Sequence, residues 1–244
     1  MRRILFSWRG QNIYSYPAML YVGLLAGIFV GAHFAQSSGM SADRFAVAVI
    51  ILLIPALAGS RLYFVLTRWD IFRHDPTRIW RRSEGGMAMY GGFILVVPLS
   101  IPLLRSMGLP FGNFWDAGVL TILLGMAFTR VGCFLNGCCS GRPSGVWFAL
   151  YLPDHQGNWQ RRIPTQIMEM TFAMLLFGGA LSLRSYSPFP GAMFCFVVAA
   201  YGLGRWYLES LRDDETGGRD RTIMQATSIL LMIAALAGLA LILG

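Results

Sequence analysis

Residues 125–142 read GMAFTRVGCFLNGCCSGR, and they combine an apolar run with polar groups that are rare inside a membrane. Arg130 and Asn136 fall at or near membrane depth before the stretch ends in a polar loop. A charge at that depth costs about 2.5–3.5 kcal/mol on insertion scales and usually serves a function. The glycines between them let a backbone or a ligand approach closely. The stretch therefore predicts the floor of a membrane-embedded site.

The composition of the whole chain is that of a membrane protein. Of the 244 residues, 55% are hydrophobic and only 13% are charged, and the apolar residues form blocks of membrane-spanning length. We expect one membrane-embedded domain over residues 1–244, an all-α polytopic bundle of about seven transmembrane helices. The predicted spans are residues 17–35, 45–67, 87–104, 117–136, 165–183, 190–211 and 222–243.

The segments between the spans carry fewer signals. Residues 107–115 are rich in glycine, proline and asparagine, which predicts a turn. Residues 142–164 form the longest irregular stretch, and we expect a small extramembrane cap there. The last span, residues 222–243, is featureless and is expected to be an outer or packing helix.

The basic residues are all arginine and are unevenly distributed. The formal net charge is +8. The arginines are scattered through short loops and helix ends, which favours anionic membrane lipid as a partner and argues against nucleic acid. Loops on one face hold fourteen of the twenty arginines, and loops on the other face hold three. The positive-inside rule would make the arginine-rich face cytoplasmic, but a phosphate-binding face would collect arginine as well.

Three spans bring arginine to that same face. Arg61, Arg130 and Arg205 lie near the corresponding ends of the second, fourth and sixth spans, and arginine binds phosphate through paired donors. We expect a half-buried pocket that holds a phospholipid headgroup while the tails stay in the bilayer. Further polar groups near the same level are Asn136, Gln166 and Glu169.

Tyr90 lies in the motif GGMAMYGG, where the third span meets the arginine-rich face. Tyr90, Gly91 and Gly92 are candidates for the same pocket. Two other interpretations stay open, because interfacial tyrosines are common and glycine pairs also serve helix packing.

The charged candidates have simpler interpretations too. Arg61 alone is as well explained by reaching to the interface. Arg205 precedes Glu209 by four residues, so the two would form an intrahelical ion pair. Gln166 and Glu169 are three residues apart and would hydrogen-bond to each other.

The four cysteines show no paired metal-ligand spacing. Cys133, Cys138 and Cys139 cluster in residues 125–142, and Cys195 stands alone in an apolar run. Neither a zinc site nor a disulfide framework is predicted from this pattern.

Four motifs occur in the order and spacing of a known family. GGMAMYGG, TRVGCFLNGCCSGR, RIPTQIMEM and YGLGRWYLESLR resemble the prolipoprotein diacylglyceryl transferases of bacteria, and AGSRLYFVL of the second span resembles them as well. The resemblance covers nearly the whole chain.

The resemblance implies a multi-pass enzyme of the bacterial inner membrane, with its active-site face periplasmic. Such an enzyme transfers the diacylglyceryl group of phosphatidylglycerol to the thiol of a lipobox cysteine in a precursor lipoprotein and releases glycerol phosphate. This chemistry needs a thiolate nucleophile and stabilisation of the departing phosphate. No metal and no soluble cofactor is expected.

The family's site residues carry over by motif. Arg130 and Arg205 match its essential arginines, and Tyr90 occupies a position that is histidine in one branch and often tyrosine in others. Tyr90 would accept a proton only if a nearby arginine lowers its pKa. We expect Arg130, Arg205, Tyr90 and Asn136 to be catalytic. The expected substrate-binding residues are Arg61, Gly91, Gly92, Gly141, Gln166, Glu169 and Glu209.

The chain departs from the family pattern on the acceptor side. Cys133 replaces an asparagine and Cys138 a glutamate, and Cys139 follows directly. Ile163 and Met168 replace the histidine and tyrosine of the family's HPSQLYE segment. A thiol role of the three cysteines, in redox or covalent chemistry, is one interpretation, and packing as small apolar residues is another. A transferase with a different acceptor and a non-catalytic lipid-binding or transport bundle remain alternatives.

Overall fold

Long helices that run back and forth make up most of the protein. The computed structural model describes residues 2–80, 89–154, 157–186, 188–213 and 219–243. The helices are α1 (Ser15–Ser37), α2 (Ala42–Thr67), α3 (Trp69–Phe72), α4 (Met89–Ser106), α5 (Phe111–Asn136), α6 (Thr165–Leu183), α7 (Ala192–Ser210) and α8 (Arg219–Leu243). Two antiparallel hairpins join β1 (Ile4–Trp8) to β2 (Gln11–Tyr14) and β3 (Leu150–Pro153) to β4 (Trp159–Arg162). Short 3-10 helices cover Pro76–Trp80 and Arg184–Tyr186.

The prediction of an all-α polytopic membrane protein is confirmed. Among the described residues, six helices are long and apolar enough to cross a membrane, namely α1, α2, α4, α5, α6 and α8. The remaining long helix, α7, is less apolar because its last two turns carry Arg205 and Glu209. The first two residues of the predicted third span, 87 and 88, lie outside the described residues.

Helix α5 is the centre of the bundle and packs closely on α1. One face of α1 carries Gly23, Gly27 and Gly31, and a Cβ atom on Gly27 would lie 2.6 Å from the carbonyl oxygen of Thr121. The Thr121 hydroxyl donates a hydrogen bond of 2.9 Å to the Gly27 carbonyl. Small residues at this spacing let two helix backbones approach, as is common inside membranes.

The prediction of a turn over residues 107–115 is wrong at its C-terminal end, because α5 already begins at Phe111. The buried carboxylate of Asp116 explains this extension. It accepts hydrogen bonds from the backbone N–H groups of Gly191 and Phe194, at 2.7 and 2.8 Å. These donors lie at the start of α7, where backbone N–H groups have no partner within the helix. The polar residue thus fixes α5 against α7.

The expectation that the last span is featureless is also corrected. Thr227 and Ser228 of α8 hydrogen-bond to the hydroxyls of Tyr63 in α2 and Tyr90 in α4. A hydrogen bond between helices satisfies polar groups that have no access to water in the bilayer. Helix α8 therefore hydrogen-bonds to α2 and α4 and also packs on α7.

The β3–β4 hairpin forms the cap predicted for residues 142–164, in the part of that segment that the structure describes. Its anchor is Arg162, which is only 3% exposed. The guanidinium pairs with Asp213 after α7 and with Asp154 at 3.5 Å, and it donates to the Gly141 carbonyl at 3.3 Å. The cap is thereby attached to the end of α7 and to the loop that follows α5.

Candidate functional site

Glu169, near the start of α6, lies at the centre of an arginine cluster. Its carboxylate pairs with Arg130 of α5, with Arg205 of α7 at 2.8 Å and with Arg212 at 3.5 Å. The Glu169 side chain is 4% exposed. Three cations around one buried anion leave the cluster with spare positive charge.

Arg205 also pairs with Glu209 at 2.5 Å, as the spacing of four residues predicted. The two carboxylates and three guanidiniums together carry a formal charge of +1. The sequence-based pairing of Gln166 with Glu169 is wrong, because Gln166 donates instead to the Cys138 carbonyl at 2.7 Å. Gln166 therefore supports the turn after α5, and Glu169 is left to the arginines.

A cavity of about 760 Å³ opens beside this cluster. It lies at the end of the bundle where α2, α5 and α7 finish and α1, α4, α6 and α8 begin. Arg130 and Asn136 of α5, Arg205 and Glu209 of α7 and Tyr90 of α4 all line it, as the sequence predicted. The other polar or thiol residues in its wall are Tyr16, Arg68, Thr129, Cys133, Cys138, Cys139, Tyr201 and Arg212.

Tyr90 is buried, with 3% exposure, and its hydroxyl shares a hydrogen bond with Ser228. The alternative interpretation of Tyr90 as an exposed interfacial tyrosine therefore does not apply. Tyr201 of α7 lines the same wall, and its hydroxyl contacts the Met89 sulfur at 3.8 Å.

Arg61 is predicted to bind substrate; it is not among the described residues that line the cavity, and its contact with substrate stays a prediction. Its guanidinium donates to the carbonyls of Ile79 and Arg78 at 3.0 and 3.3 Å. It also lies 5.5 Å from the ring centroid of Phe64 and 5.8 Å from that of Phe72. These contacts join α2 to the segment that follows it. Arg68, which directly follows the last residue of α2, lines the cavity wall.

Gly91 and Gly92 are needed for the packing of α4 on α2. A Cβ atom on Gly91 would clash with the Gly59 backbone and the Tyr63 side chain. One on Gly92 would lie 2.8 Å from the Ala56 carbonyl oxygen. The interpretation as packing glycines is therefore sufficient, and contact with substrate stays a prediction.

Gly141 is enclosed by the backbone of Leu211 and Ile163 and by the Thr165 side chain. A Cβ atom there would lie 2.6 Å from the Leu211 carbonyl oxygen and 2.9 Å from that of Ile163. The Gly141 N–H donates to the Ile163 carbonyl at 2.8 Å. Ile163, where the family has histidine, is itself buried at this junction. Gly141 thus holds the cap to the bundle, and its predicted contact with substrate stays untested.

The three cysteines of the predicted site converge at the end of α5. Gly137 ends that helix in the left-handed conformation, with φ of 77°, which glycine adopts without strain. Cys139 follows with φ of 63°, a conformation that costs an ordinary residue about 1–2 kcal/mol. The sulfur atoms of Cys133, Cys138 and Cys139 all lie within 4.8 Å of one another. Hydrogen bonds from the other two thiols lower the pKa of Cys139, and burial opposes this shift.

Two apolar cavities adjoin the charged one. One, of about 230 Å³, lies between α2, α4 and α5, and Met89 and Ile122 line both it and the charged cavity. The other, of about 60 Å³, shares Tyr90, Met126 and Tyr201 with the charged cavity as well. The site thus offers an arginine-rich centre next to apolar recesses.

Sequence reasoning missed Arg68, Tyr201 and Arg212 as wall residues. Tyr201 is the first residue of the quoted YGLGRWYLESLR motif, and it precedes Arg205 by four residues, so helical spacing pointed to it. Arg212 ends the same motif. Arg68 had no signal beyond its place at a helix end.

The fold and the site define a class: a polytopic membrane protein with an arginine-lined cavity that continues into apolar recesses. The sequence model of the prolipoprotein diacylglyceryl transferase family matches residues 3–241. This chain belongs to that family.

Individual relatives are similar over most of their length. A Trichormus variabilis protein named phosphatidylglycerol–prolipoprotein diacylglyceryl transferase is 28% identical over 236 residues, which cover 92% of this chain and 84% of that protein. Proteins of the same name from Bacillus anthracis and Bacillus mycoides are each 29% identical over 232 residues, or 92% of this chain and 86% of theirs.

Proposed function

We propose that this protein transfers the diacylglyceryl group of phosphatidylglycerol to the lipobox cysteine thiol of a precursor lipoprotein and releases glycerol phosphate. The observation that carries the proposal is the cluster of three arginines around Glu169 at the wall of a cavity that meets apolar recesses. The names of the relatives state this donor and this acceptor.

The donor headgroup fits the charged cavity. Arg130, Arg205 and Arg212 each use part of their guanidinium on Glu169, and all three also line the cavity. The net charge of the cluster matches the single negative charge of a phosphodiester. Because the carboxylates hold the guanidiniums in place before the phosphate binds, little reorganisation is needed as charge develops on the departing group.

The glyceryl ends of the donor's two acyl chains would meet the apolar recesses, and the rest of each chain would stay in the bilayer. Met89 and Ile122 line the junction between those recesses and the charged cavity. A lipid bound there keeps its phosphate at the arginines and the first part of its tails beside α2, α4, α5 and α7. The reactive carbon is the carbon of the diacylglyceryl group that is bonded to the phosphate oxygen. It then lies between the charged cavity and the apolar recesses.

Catalytic roles follow for four residues. Arg130 and Arg205 stabilise the phosphate that leaves, and Asn136 orients groups at the end of α5. Tyr90 is buried in the same wall as Arg205, and its hydroxyl is proposed to hydrogen-bond to the reacting groups. Gln166 and Glu169 act through the groups they position.

We place the protein in the bacterial inner membrane as one transferase domain over residues 1–244, with the cavity end periplasmic. Phosphate binding at this end explains why its loops are rich in arginine. Without that explanation, the positive-inside rule would assign this end to the cytoplasm. Reporter fusions at the C-terminus test this topology, because α8 ends on the side opposite the cavity. A periplasmic C-terminus would reverse the assignment.

Purified protein in phosphatidylglycerol liposomes with a lipobox peptide tests the reaction. Mass spectrometry should show the peptide gaining a diacylglyceryl group. Removing either Arg130 or Arg205 by substitution with alanine should lower the transfer rate about 10²–10³-fold, as loss of one charge-stabilising donor does. Arg105→Ala is the matched control, since Arg105 lies at the opposite end of the bundle near Arg44. Full activity in both cavity variants would refute the phosphate-binding role.

A second candidate function is transfer to a different acceptor, and the cysteines in the cavity wall favour it. Cys133 and Cys138 occupy positions where the family has asparagine and glutamate. If the peptide stays unmodified while glycerol phosphate appears after cell extract is added, the donor chemistry is intact and the acceptor is new. If neither product forms, a non-catalytic lipid-binding or transport bundle becomes the better reading.

A further inference from the structure

The cysteine cluster is a group of three nucleophilic side chains that the proposed reaction does not use. Cys133 comes from the last turn of α5, and Cys138 and Cys139 come from the turn after it. All three line the charged cavity. The fourth cysteine, Cys195, lies on α7 outside the cluster.

The distances suit one metal ion. In a tetrahedral zinc site with Zn–S bonds of about 2.3 Å, the sulfur atoms are about 3.8 Å apart. The three sulfurs here lie within 4.8 Å of one another, so a closure of about 1 Å completes the coordination. The Cys138 thiol points to the Cys133 carbonyl at 3.6 Å, and turning it away is a small motion.

The backbone that carries the thiols is held from outside the turn. Thr165 donates to the Cys139 carbonyl at 2.8 Å, and Gln166 donates to the Cys138 carbonyl at 2.7 Å. Both donors are fully buried at the start of α6. They fix Cys139 in its strained conformation, which turns its sulfur toward the other two. Strain that neighbouring groups maintain is typical of functional sites.

The local charge suits three thiolates. Three cysteine thiolates around a divalent ion carry a net charge of −1. Arg130 and Arg212 line the same cavity wall as the thiols, so a negatively charged metal site there would lie beside guanidinium groups. The softness of sulfur selects zinc or a similar thiophilic cation over magnesium or calcium.

We propose that Cys133, Cys138 and Cys139 bind one thiophilic cation, represented by Zn²⁺, and that its fourth position faces the cavity and takes the thiol of the acceptor. Three protein ligands with one open position are the pattern of catalytic zinc sites. The metal site replaces the sequence-based expectation that no metal is needed. The role of its fourth position rests on the transferase function proposed above.

Metal coordination would prepare the nucleophile for that reaction. The acceptor thiol loses its proton to solvent as it binds, because a coordinating thiol is deprotonated. The sulfur electron pair then forms a C–S bond to the glyceryl carbon that carries the phosphate. The C–O bond to phosphate breaks, and its electron pair leaves with glycerol phosphate toward Arg130 and Arg205. The thioether product is a poor ligand and dissociates, and no group is oxidised or reduced.

Cobalt titration of the purified full chain in detergent tests the metal site. Under reducing conditions Co²⁺ should bind once per chain with thiolate-to-cobalt absorption, and Zn²⁺ should displace it. Replacement of each of Cys133, Cys138 and Cys139 by serine should weaken binding at least about 100-fold, beyond the loss from outer-shell changes. Cys195→Ser should bind as the natural protein does. Binding that survives Cys138→Ser and Cys139→Ser, or no binding by the reduced natural protein, overturns the site.

A lipobox peptide tests the fourth position on the same cobalt-loaded protein. The peptide with a free cysteine should shift the thiolate-to-cobalt absorption, and the same peptide with serine in place of cysteine should not. Equal spectra with both peptides overturn the open position.

Failure of the metal site and failure of the transferase reaction are distinguishable. Metal binding and the spectral shift are read without phosphatidylglycerol and need no turnover. A protein that binds cobalt and peptide thiol but transfers nothing contradicts the transferase function alone. A protein that transfers diacylglyceryl groups at an unchanged rate after removal of metal by a chelator contradicts the metal's role alone.

Discussion

Replacement of Glu169 by glutamine removes the one negative charge that three arginines share. At an effective dielectric constant near 20, opposite unit charges 2.8 Å apart, as in the Glu169–Arg205 pair, attract by about 6 kcal/mol. Desolvation offsets part of this attraction, and removal of one partner of a buried pair costs about 3–5 kcal/mol in practice. We expect Glu169→Gln to fall at the lower end, because the amide oxygen still accepts one hydrogen bond.

Thermal unfolding in detergent measures this loss. For a chain of this length a change of 1 kcal/mol shifts Tm by about 2–4 °C, so Tm should fall by about 10 °C. Glu209→Gln is the matched control and should lose less, since Glu209 pairs with Arg205 alone among the described residues and Arg205 keeps Glu169.

Lipid composition adds a second readout. Phosphatidylglycerol should recover more of the lost Tm than phosphatidylcholine, because a net anionic headgroup restores negative charge beside the arginines. A Tm within about 2 °C of the natural protein, or a larger loss in Glu209→Gln, would contradict the assignment of Glu169 as the centre of the cluster.

Three further changes test single contacts. Gly141→Ala should lower Tm and transfer activity together, since its Cβ would meet two carbonyl oxygens, whereas Gly145→Ala, with open space around it, should change neither. Arg162→Ala should destabilise the cap by about 2 kcal/mol in thermal unfolding, because the half-buried Asp213 and Asp154 each lose an ion pair while Asp154 keeps its hydrogen bonds from Asn158. Arg161→Ala on the exposed side of the same strand should cost under about 0.5 kcal/mol. Tyr90→Phe should lower the free energy of unfolding by about 1 kcal/mol, because one hydrogen bond is lost, and should lower the transfer rate by a larger factor if the Tyr90 hydroxyl contacts the reacting groups. Equal losses at the paired positions, or an unchanged transfer rate in Tyr90→Phe, would contradict these roles.

The spans were predictable because each is a continuous apolar run, and α6 begins and ends where the sequence placed it. The predicted start of α5 was six residues late, since Asp116 and its neighbours look polar and turn-like. That carboxylate is satisfied by the start of α7, a helix about 75 residues further along the chain. Hydropathy in a local window cannot detect a partner at that distance.

The site was predictable where one motif supplies a whole element, as for Arg130, Arg205 and Glu209. The site was not predictable where a side chain has several possible partners and only the folded structure determines which one it contacts. Arg61 and Arg68 are both arginines near the end of α2, and only the geometry of the following segment shows that Arg61 binds carbonyls there. The convergence of the thiols was hidden for the same reason, because a helix end and a left-handed residue bring them together.

The glycine face of α1 has a consequence for biogenesis. Helices leave the ribosome in order, so α1 enters the membrane well before α5, the helix on which Gly23, Gly27 and Gly31 pack. Until then most of that face meets lipid or the insertion machinery, because α2 reaches it at Gly31, through the ring of Phe45. The cavity forms later still, since Glu169 and Arg205 arrive with α6 and α7. A chain halted after α4 would therefore expose most of the glycine face of α1 and would have no phosphate site.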